Sequence, residues 1–242
     1  MKLTPVHTAV FQEGADLPLF IKTHISAMRE GSVLAVASKL VCLWQGLSVP
    51  YKSQSQKEDL IQKESSAALK TPLAWLTIKA GMVMTNAGID ESNAQGKLLL
   101  LPKDCYAAAQ QLRTRLQGLY GIKNLGVLIT DSMILPLRAG VIAGAVGYAG
   151  FKGVRDLRGR PDIFGKKLEV TLVNAADSLA SAAALCMGEA NEQRPLCVIE
   201  DAPVTFTDEL NPKEISYPAE DDLYTPLFKA AGLTPGKGEK ND

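Results

Sequence analysis

The chain has 242 residues, 46% hydrophobic and 21% charged, with 26 Lys and Arg against 26 Asp and Glu. That balance excludes extended disorder and leaves no overall field to favour nucleic acid or an anionic membrane, so neither is expected as a partner. At this length folding buries roughly 70% or more of the unfolded surface, enough for one unit or two closely packed lobes without disulfides or a structural metal. The cysteines, Cys42, Cys105, Cys186 and Cys197, are scattered and form no C-x-x-C pair. They read as small buried hydrophobes in a reducing compartment. The N-terminus has no long apolar stretch, and Ala139 to Phe151 is only 13 residues between Arg138 and Lys152. A spanning helix needs about 20, so a cytoplasmic protein is expected.

In chain order, Val33 to Ala37 (V-L-A-V-A) predicts a buried strand, and the polar stretch Lys57 to Leu69 a helix with a weak apolar face. Leu73 to Met84 predicts one long, irregular strand passing Gly81. From Asp104 to Tyr120 apolar residues recur at three- and four-residue steps (Cys105, Ala108, Ala109, Leu112, Leu116, Leu119), with Arg113 and Arg115 pointing elsewhere. That is an amphipathic helix capped by Asp104 and stopped by Gly121. Leu125 to Ile129 predicts a second buried strand. Gly140 to Gly150 carries Gly140, Gly144, Gly147 and Gly150 but neither G-x-G-x-x-G nor a P-loop, which favours close packing between elements or subunits. Alternation at Leu168, Val170 and Leu172 predicts a strand with one wetter face. An alanine-rich helix follows from Ser178 to about Ala190, capped by Asp177, and then a short strand from Leu196 to Ile199. Composition changes near Ala202, after which one short helix is expected from Tyr224 to Ala231. Interleaved strands and helices give an α/β or α+β class. Residues 1–231 are expected to form a single unit, followed by a flexible tail over 232–242.

Four groups of residues could carry chemistry. Asn86 to Asn93 (N-A-G-I-D-E-S-N) presents Asp90 and Asn93 on a tight loop, either to a hard cation or as an ordinary Asx-rich turn. Asp131 follows a buried strand, where open α/β sheets place ligand sites. With Ser132 it reads as a magnesium–phosphate arrangement or as a loop cap. Arg155, Arg158 and Arg160 either clamp an anion or pair with their own neighbours. Lys39, after the first strand, either meets phosphate or snorkels. His7 and His24 have no partner at a triad or metal spacing and read as structural.

In order, N-A-G-I-D-E-S-N, L-L-L-P-K-D, G-V-L-I-T-D-S, R-A-G-V-I-A-G-A-V-G, R-G-R-P-D-I-F-G-K-K-L-E-V-T, A-A-D-S-L-A-S-A-A and M-G-E-A resemble the coenzyme F420-0:γ-glutamyl ligase family, over about Val33 to Ile199. The resemblance implies a family-specific α/β fold of two intimately packed lobes and a homodimer. It also implies an enzyme that uses GTP (or ATP) with Mg2+ or Mn2+ to join L-glutamate to a carboxylate-bearing small molecule through an acyl phosphate. Relatives are proposed to act on other acids, folates among them. On that pattern Asp90, Asp131 and Ser132 are the metal residues. Leu17, Pro18, Leu19, Ser38, Lys39, Asn93, Gly188 and Glu189 fall at nucleotide positions, Lys39 replacing a hydroxyl residue. Arg138, Arg158 and Arg160 are the anion holders assigned to catalysis.

Departures are concentrated in the substrate lining. Met133, Ile134 and Leu135 stand where the family has polar and basic residues, Leu43 where lysine is usual, Leu47 where a basic residue is common, and Ser178 for an acidic one. Two outcomes are open: a ligase with a different, less phosphorylated acceptor, or a catalytically degenerate nucleotide- and metal-binding dimeric scaffold.

Overall fold

The computed structural model describes residues 1–218 and 220–233. Its first half runs β1 (Lys2–Val6), α1 (Leu17–His24), β2 (Ser32–Ala37), α2 (Ser38–Trp44), β3 (Ser48–Pro50), α3 (Gln54–Lys63), β4 (Ala67–Lys70), β5 (Trp75–Lys79), β6 (Met82–Thr85) and β7 (Lys97–Leu99). It continues with α4 (Cys105–Tyr120), β8 (Leu125–Met133), β9 (Ile142–Ala149), β10 (Val154–Asp156), β11 (Leu172–Asn174), α5 (Ala175–Met187), β12 (Leu196–Glu200) and α6 (Thr225–Ala230). A single 3-10 turn, Asn86–Gly88, lies between β6 and β7.

The main sheet has the order β1-β12-β2-β8-β9, with β2 and β8 parallel and every other pair antiparallel. Alternate residues of its inner strands feed two cores. Leu34 and Val36 of β2, Leu125, Val127 and Ile129 of β8 and Leu196 of β12 join one core with α1, α2 and α4. Val33, Ala35, Leu128, Cys197 and Ile199 join the other with α5. A sheet covered on both faces explains why β2 and the first part of β8 read as unbroken apolar runs. A third cluster of Ile61, Ile89 and Leu98 lies beneath α3, beside the small β4-β5-β6 sheet.

The predicted helix over Asp104 to Tyr120 is present with its caps. Asp104 Oδ1 accepts from the Ala107 N–H at 2.8 Å, and Gly121 ends the helix at φ 66°. Arg113 differs from expectation. It is 3% exposed, with Nε donating to the Leu125 carbonyl at 2.7 Å and Nη2 to Asp208 at 2.6 Å. Its entry needs Gly150, where a Cβ would lie 2.4 Å from Nε and 2.1 Å from the Leu125 oxygen. A buried guanidinium is tolerated because both ends are hydrogen-bonded.

Other expectations are corrected. The helix predicted over Lys57 to Leu69 ends at Lys63, because Ser66 begins pairing with Ile78 and the chain becomes β4. Leu73 to Met84 is a hairpin rather than one strand, turning at Ala80 and Gly81, both with positive φ. The alternating pattern at Leu168 to Leu172 forms no strand before Leu172; Val170 is 84% exposed and faces no core. The alanine-rich helix α5 begins at Ala175 and stops at Met187, with Asn174 as its cap, since Asn174 Oδ1 accepts the Asp177 N–H at 3.0 Å. Asp177 instead accepts the Ala145 N–H at 2.8 Å, pinning α5 to β9.

The glycine run is strand β9, and its glycines do allow close packing within the chain: a Cβ at Gly147 would lie 2.4 Å from the Cys105 carbonyl oxygen. Near the C-terminus the expected short helix is α6, and Leu233 remains buried against it; the rest of the predicted tail lies outside the described residues. Among the described residues no helix is long and apolar enough to cross a membrane.

Candidate functional site

The parallel pairing of β2 with β8 sets the site. Ala37 lies opposite Thr130 in the register, so the next residue on each strand, Ser38 and Asp131, emerges at the same end of the sheet. There β2 ends and α2 begins at Ser38, while β8 runs on, with Asp131 opposite Gly144 of β9. The buried Ser38 hydroxyl donates to Asp131 Oδ1 at 2.9 Å. Ligand sites commonly form where parallel strands end; here β2 turns away at Ser38 while β8 continues to Met133, which leaves Asp131 and Ser132 beside the start of α2.

Asp90 arrives from the opposite side. Asn86, Ala87 and Gly88 all have positive φ (53°, 53° and 69°). Glycine takes such values freely and the other two do so at a cost. Two bonds hold the turn: Trp75 N–H to Asn86 Oδ1 at 3.0 Å, and Ala87 N–H to Thr77 Oγ1 at 2.8 Å. A Cβ on Gly88 would meet Leu101 Cδ1 at 2.2 Å. Buried Ile89 then anchors the segment, and Asp90 exchanges backbone bonds with Leu99. Asp90 Oδ1 accepts the Ser92 N–H at 2.7 Å, and Lys39 Nζ lies 2.9 Å from Asp90 Oδ2.

The other contacts close a ring. Ser132 Oγ donates to Glu189 Oε2 at 2.8 Å, and Asn93 Nδ2 donates to the Ala190 carbonyl at 3.1 Å. Gly188, at φ 87°, leaves room for Glu192 to fold back onto the Ala190 N–H. Ser38, Asp131, Ser132, Glu189, Ala190, Asn93, Asp90 and Lys39 are thus linked into one ring of contacts, drawn from four separate stretches of chain.

The two carboxylates differ electrostatically. Burial pushes Asp131 up to about 6, helped by the charge of Asp90 and opposed by the Ser38 and Ser132 hydrogen bonds and by Lys39. Burial acts in the same direction on Asp90, but the bonds from Lys39 and Ser92 outweigh it and hold that carboxyl below its ordinary value. Among the described residues no three His, Cys, Asp or Glu side chains gather tightly enough to hold an ion alone. The oxygens present (the carboxylates of Asp90, Asp131 and Glu189 and the hydroxyls of Ser38 and Ser132) suit a hard cation that keeps its remaining positions for water or phosphate, as magnesium commonly does.

Not every expected residue joins this ring. Leu17 and Pro18 are buried and Leu19 is exposed at the start of α1, where Asp16 caps the helix and pairs with Arg115. Their apolar side chains bring no polar group to the ring. Arg138 and Arg160 are exposed on loops. Arg158 is bound by Asp156, with Nη2 to Oδ2 at 2.6 Å, so the mutual ion pair is the arrangement present. Ser92 and the Lys57–Glu91 pair at 3.2 Å were not legible as site residues, since nothing in their spacing links them to Lys39 or to α3.

Comparison with known proteins bears on what this site is for. Residues 45–201 match the family model described as F420-0:Gamma-glutamyl ligase. A coenzyme F420:L-glutamate ligase of Methanocaldococcus jannaschii is 38% identical over 216 residues, which is 88% of this chain and 85% of that protein. The enzyme of the same name from Methanopyrus kandleri is 36% identical over 76% of this chain and 80% of its own. That from Methanococcus maripaludis is 40% identical over 60% of this chain, but the match spans only 58% of its own length. The matched stretch contains Asp90, Asn93, Asp131, Ser132 and Glu189, the acidic and amide groups of the ring, and the chain belongs to the F420-0:γ-glutamyl ligase family.

Proposed function

We propose that this protein is a nucleotide- and divalent-metal-dependent γ-glutamyl ligase, joining the amino group of L-glutamate, or a similar amine, to a carboxylate acceptor. The observation that carries this reading is that Asp131 and Asp90 are near enough for their charges to interact, held by the neighbouring residues Ser38 and Lys39 where β2 ends beside β8. The names of the relatives support glutamate as a substrate.

An amine and a carboxylate do not condense in neutral water. Transfer of the terminal phosphoryl group of GTP or ATP to an acceptor carboxylate oxygen gives an acyl phosphate. Attack by the glutamate nitrogen then forms the amide, releases phosphate and sheds one amine proton to solvent. Magnesium or manganese, when bound, supplies positive charge against the developing phosphate charge. The chain contributes the rest. Asp131 and Ser132 offer oxygen ligands, Ser38 orients the Asp131 carboxylate, Lys39 adds fixed positive charge, and the Asn93–Ala190 bond joins the two loops that flank the site. Holding the reactants in line accounts for much of the acceleration in such a reaction. Exposed Arg138 and Arg160 are available to acceptor or glutamate carboxylates. Ile134 and Leu135, exposed beyond β8, favour an acceptor with fewer phosphates than a deazaflavin precursor.

The protein is also read as a homodimer. Large exposed apolar side chains crowd two segments, Ile134 to Ile142 and Ile163 to Val173, as expected of a face covered by another protein.

Calorimetric titration of the wild type and Asp131→Asn with GTP and with ATP, each with and without magnesium, tests the reading. At least tenfold weaker metal-dependent binding in the variant is expected; unchanged metal dependence counts against it. Nucleotide binding with no phosphate release for any glutamate–acid pair would instead identify a scaffold.

A further inference from the structure

We infer that Lys39 is itself one of the cations of this site: its tethered ammonium fills the Asp90 side, so a single exchangeable divalent ion is bound, at Asp131. This rests on the metal-dependent reading above and specifies how the positive charge is divided.

The ammonium of Lys39 has three oxygens around it: Asp90 Oδ2 at 2.9 Å, Ser92 Oγ at 2.6 Å and the Ser92 carbonyl at 3.2 Å. An ammonium has three N–H groups, so each has an acceptor. All three oxygens come from one short loop whose shape does not depend on Lys39. Asp90 is bridged to Leu99 through the backbone, its Oδ1 takes the Ser92 N–H, and Asn93 is tied to Ala190. The lysine side chain is itself only 28% exposed, so the charge sits in a built socket rather than on a waving stem. A divalent ion directed to Asp90 would have to expel this ammonium or lie against it, and the repulsion between them grows with the product of their charges.

Asp131 is different. Its donors, the Ser38 hydroxyl and the Ser132 backbone N–H, are both neutral, and it takes part in no ion pair among the described residues. Three carboxylates belong to the ring, those of Asp90, Asp131 and Glu189, and among the described residues only Asp90 has an ion-pair partner. The remaining demand for positive charge is at Asp131, beside Ser132 and Glu189. Lysine serves phosphates as a point charge without fixed coordination, so a tethered ammonium can take the charge-neutralising part of an ion that would otherwise come from solution.

The experiment counts manganese bound per chain, by electron paramagnetic resonance of the free ion, without nucleotide. One ion per chain is expected for the wild type, Lys39→Arg and Asp90→Asn, none retained by the protein for Asp131→Asn, and two for Lys39→Ser and Lys39→Met. Lys39→Met keeps the aliphatic stem and so serves if the serine variant does not fold, as read by circular dichroism. Two ions in the wild type, one in both neutral Lys39 variants, or loss of the ion in Asp90→Asn would each overturn the inference while leaving metal dependence intact. No protein-bound manganese in any variant would overturn the metal-dependent reading and this inference with it.

Discussion

The Ser38 hydroxyl lies 2.9 Å from Asp131 Oδ1, although 93 positions separate the two residues. The bond exists because β2 and β8 are parallel and in register up to Ala37 and Thr130, so the residue after each pair member turns out at the same level. Ser38→Ala removes the donor and leaves the carboxylate free to rotate. A hydrogen bond of this kind is worth about 1 kcal/mol, so metal-dependent GTP affinity falls by roughly fivefold or more. Calorimetry measures the loss, and an unfolding curve within about 1 kcal/mol of wild type separates it from general damage.

Two glycine substitutions have opposite signs. Gly147→Ala forces a methyl group into the Cys105 backbone, 2.4 Å from its carbonyl oxygen, between β9 and the start of α4. Overpacking costs about 1–3 kcal/mol, read as a lower urea midpoint at constant slope. At Gly118, inside α4, a Cβ meets nothing within 4 Å. Gly118→Ala therefore raises stability by about 0.5–1 kcal/mol through helix propensity alone.

The Tyr120 hydroxyl donates to the Ile25 carbonyl at 2.7 Å, and burial pushes its phenol up from 10 to about 12. The neutral form is thus favoured in the folded state. Its contribution to stability is complete below pH 10 and is lost as pH rises through 12, once the unfolded chain alone would ionise. Ultraviolet titration at the tyrosinate band loses its component near pH 12 in Tyr120→Phe, while Tyr106 and Tyr148, which burial pushes up further, still ionise later. An unchanged profile would contradict the assignment.

Ile163 and Phe164 are 91% and 89% exposed between β10 and β11. In sedimentation, the double variant Ile163→Ser, Phe164→Ser shifts a dimer toward monomer while its circular dichroism stays native. A wild type that sediments as a monomer at all concentrations would refute the homodimer.

Local order was legible wherever one short stretch decided it. The α4 caps, Asp104 and Gly121, act on their own neighbours, and β2 and the first part of β8 are apolar throughout because both faces are covered. The errors share a cause. Residues 64–69 and 73–84 are set by pairing between β4, β5 and β6, and Asn174 rather than Asp177 caps α5 because Asp177 is drawn to Ala145 across the chain. Arg113 looked solvent-facing on a helical wheel, yet Leu125 and Asp208 supply partners that no wheel contains.

The candidate site divides in the same way. The motifs around Asp90, Asp131 and Glu189 name residues of the right chemistry, since oxygen-bearing side chains on tight turns are what a hard cation needs. That Asp90 holds the Lys39 ammonium and that Asp131 takes the Ser38 hydroxyl came from the tertiary structure alone, whereas the Arg158–Asp156 pair, two residues apart, was already one of the arrangements open in the sequence. Composition and periodicity act through near neighbours in the chain. Which charge faces which carboxylate is set by strand register and loop closure across tens of residues, and those exist only once the sheet has formed.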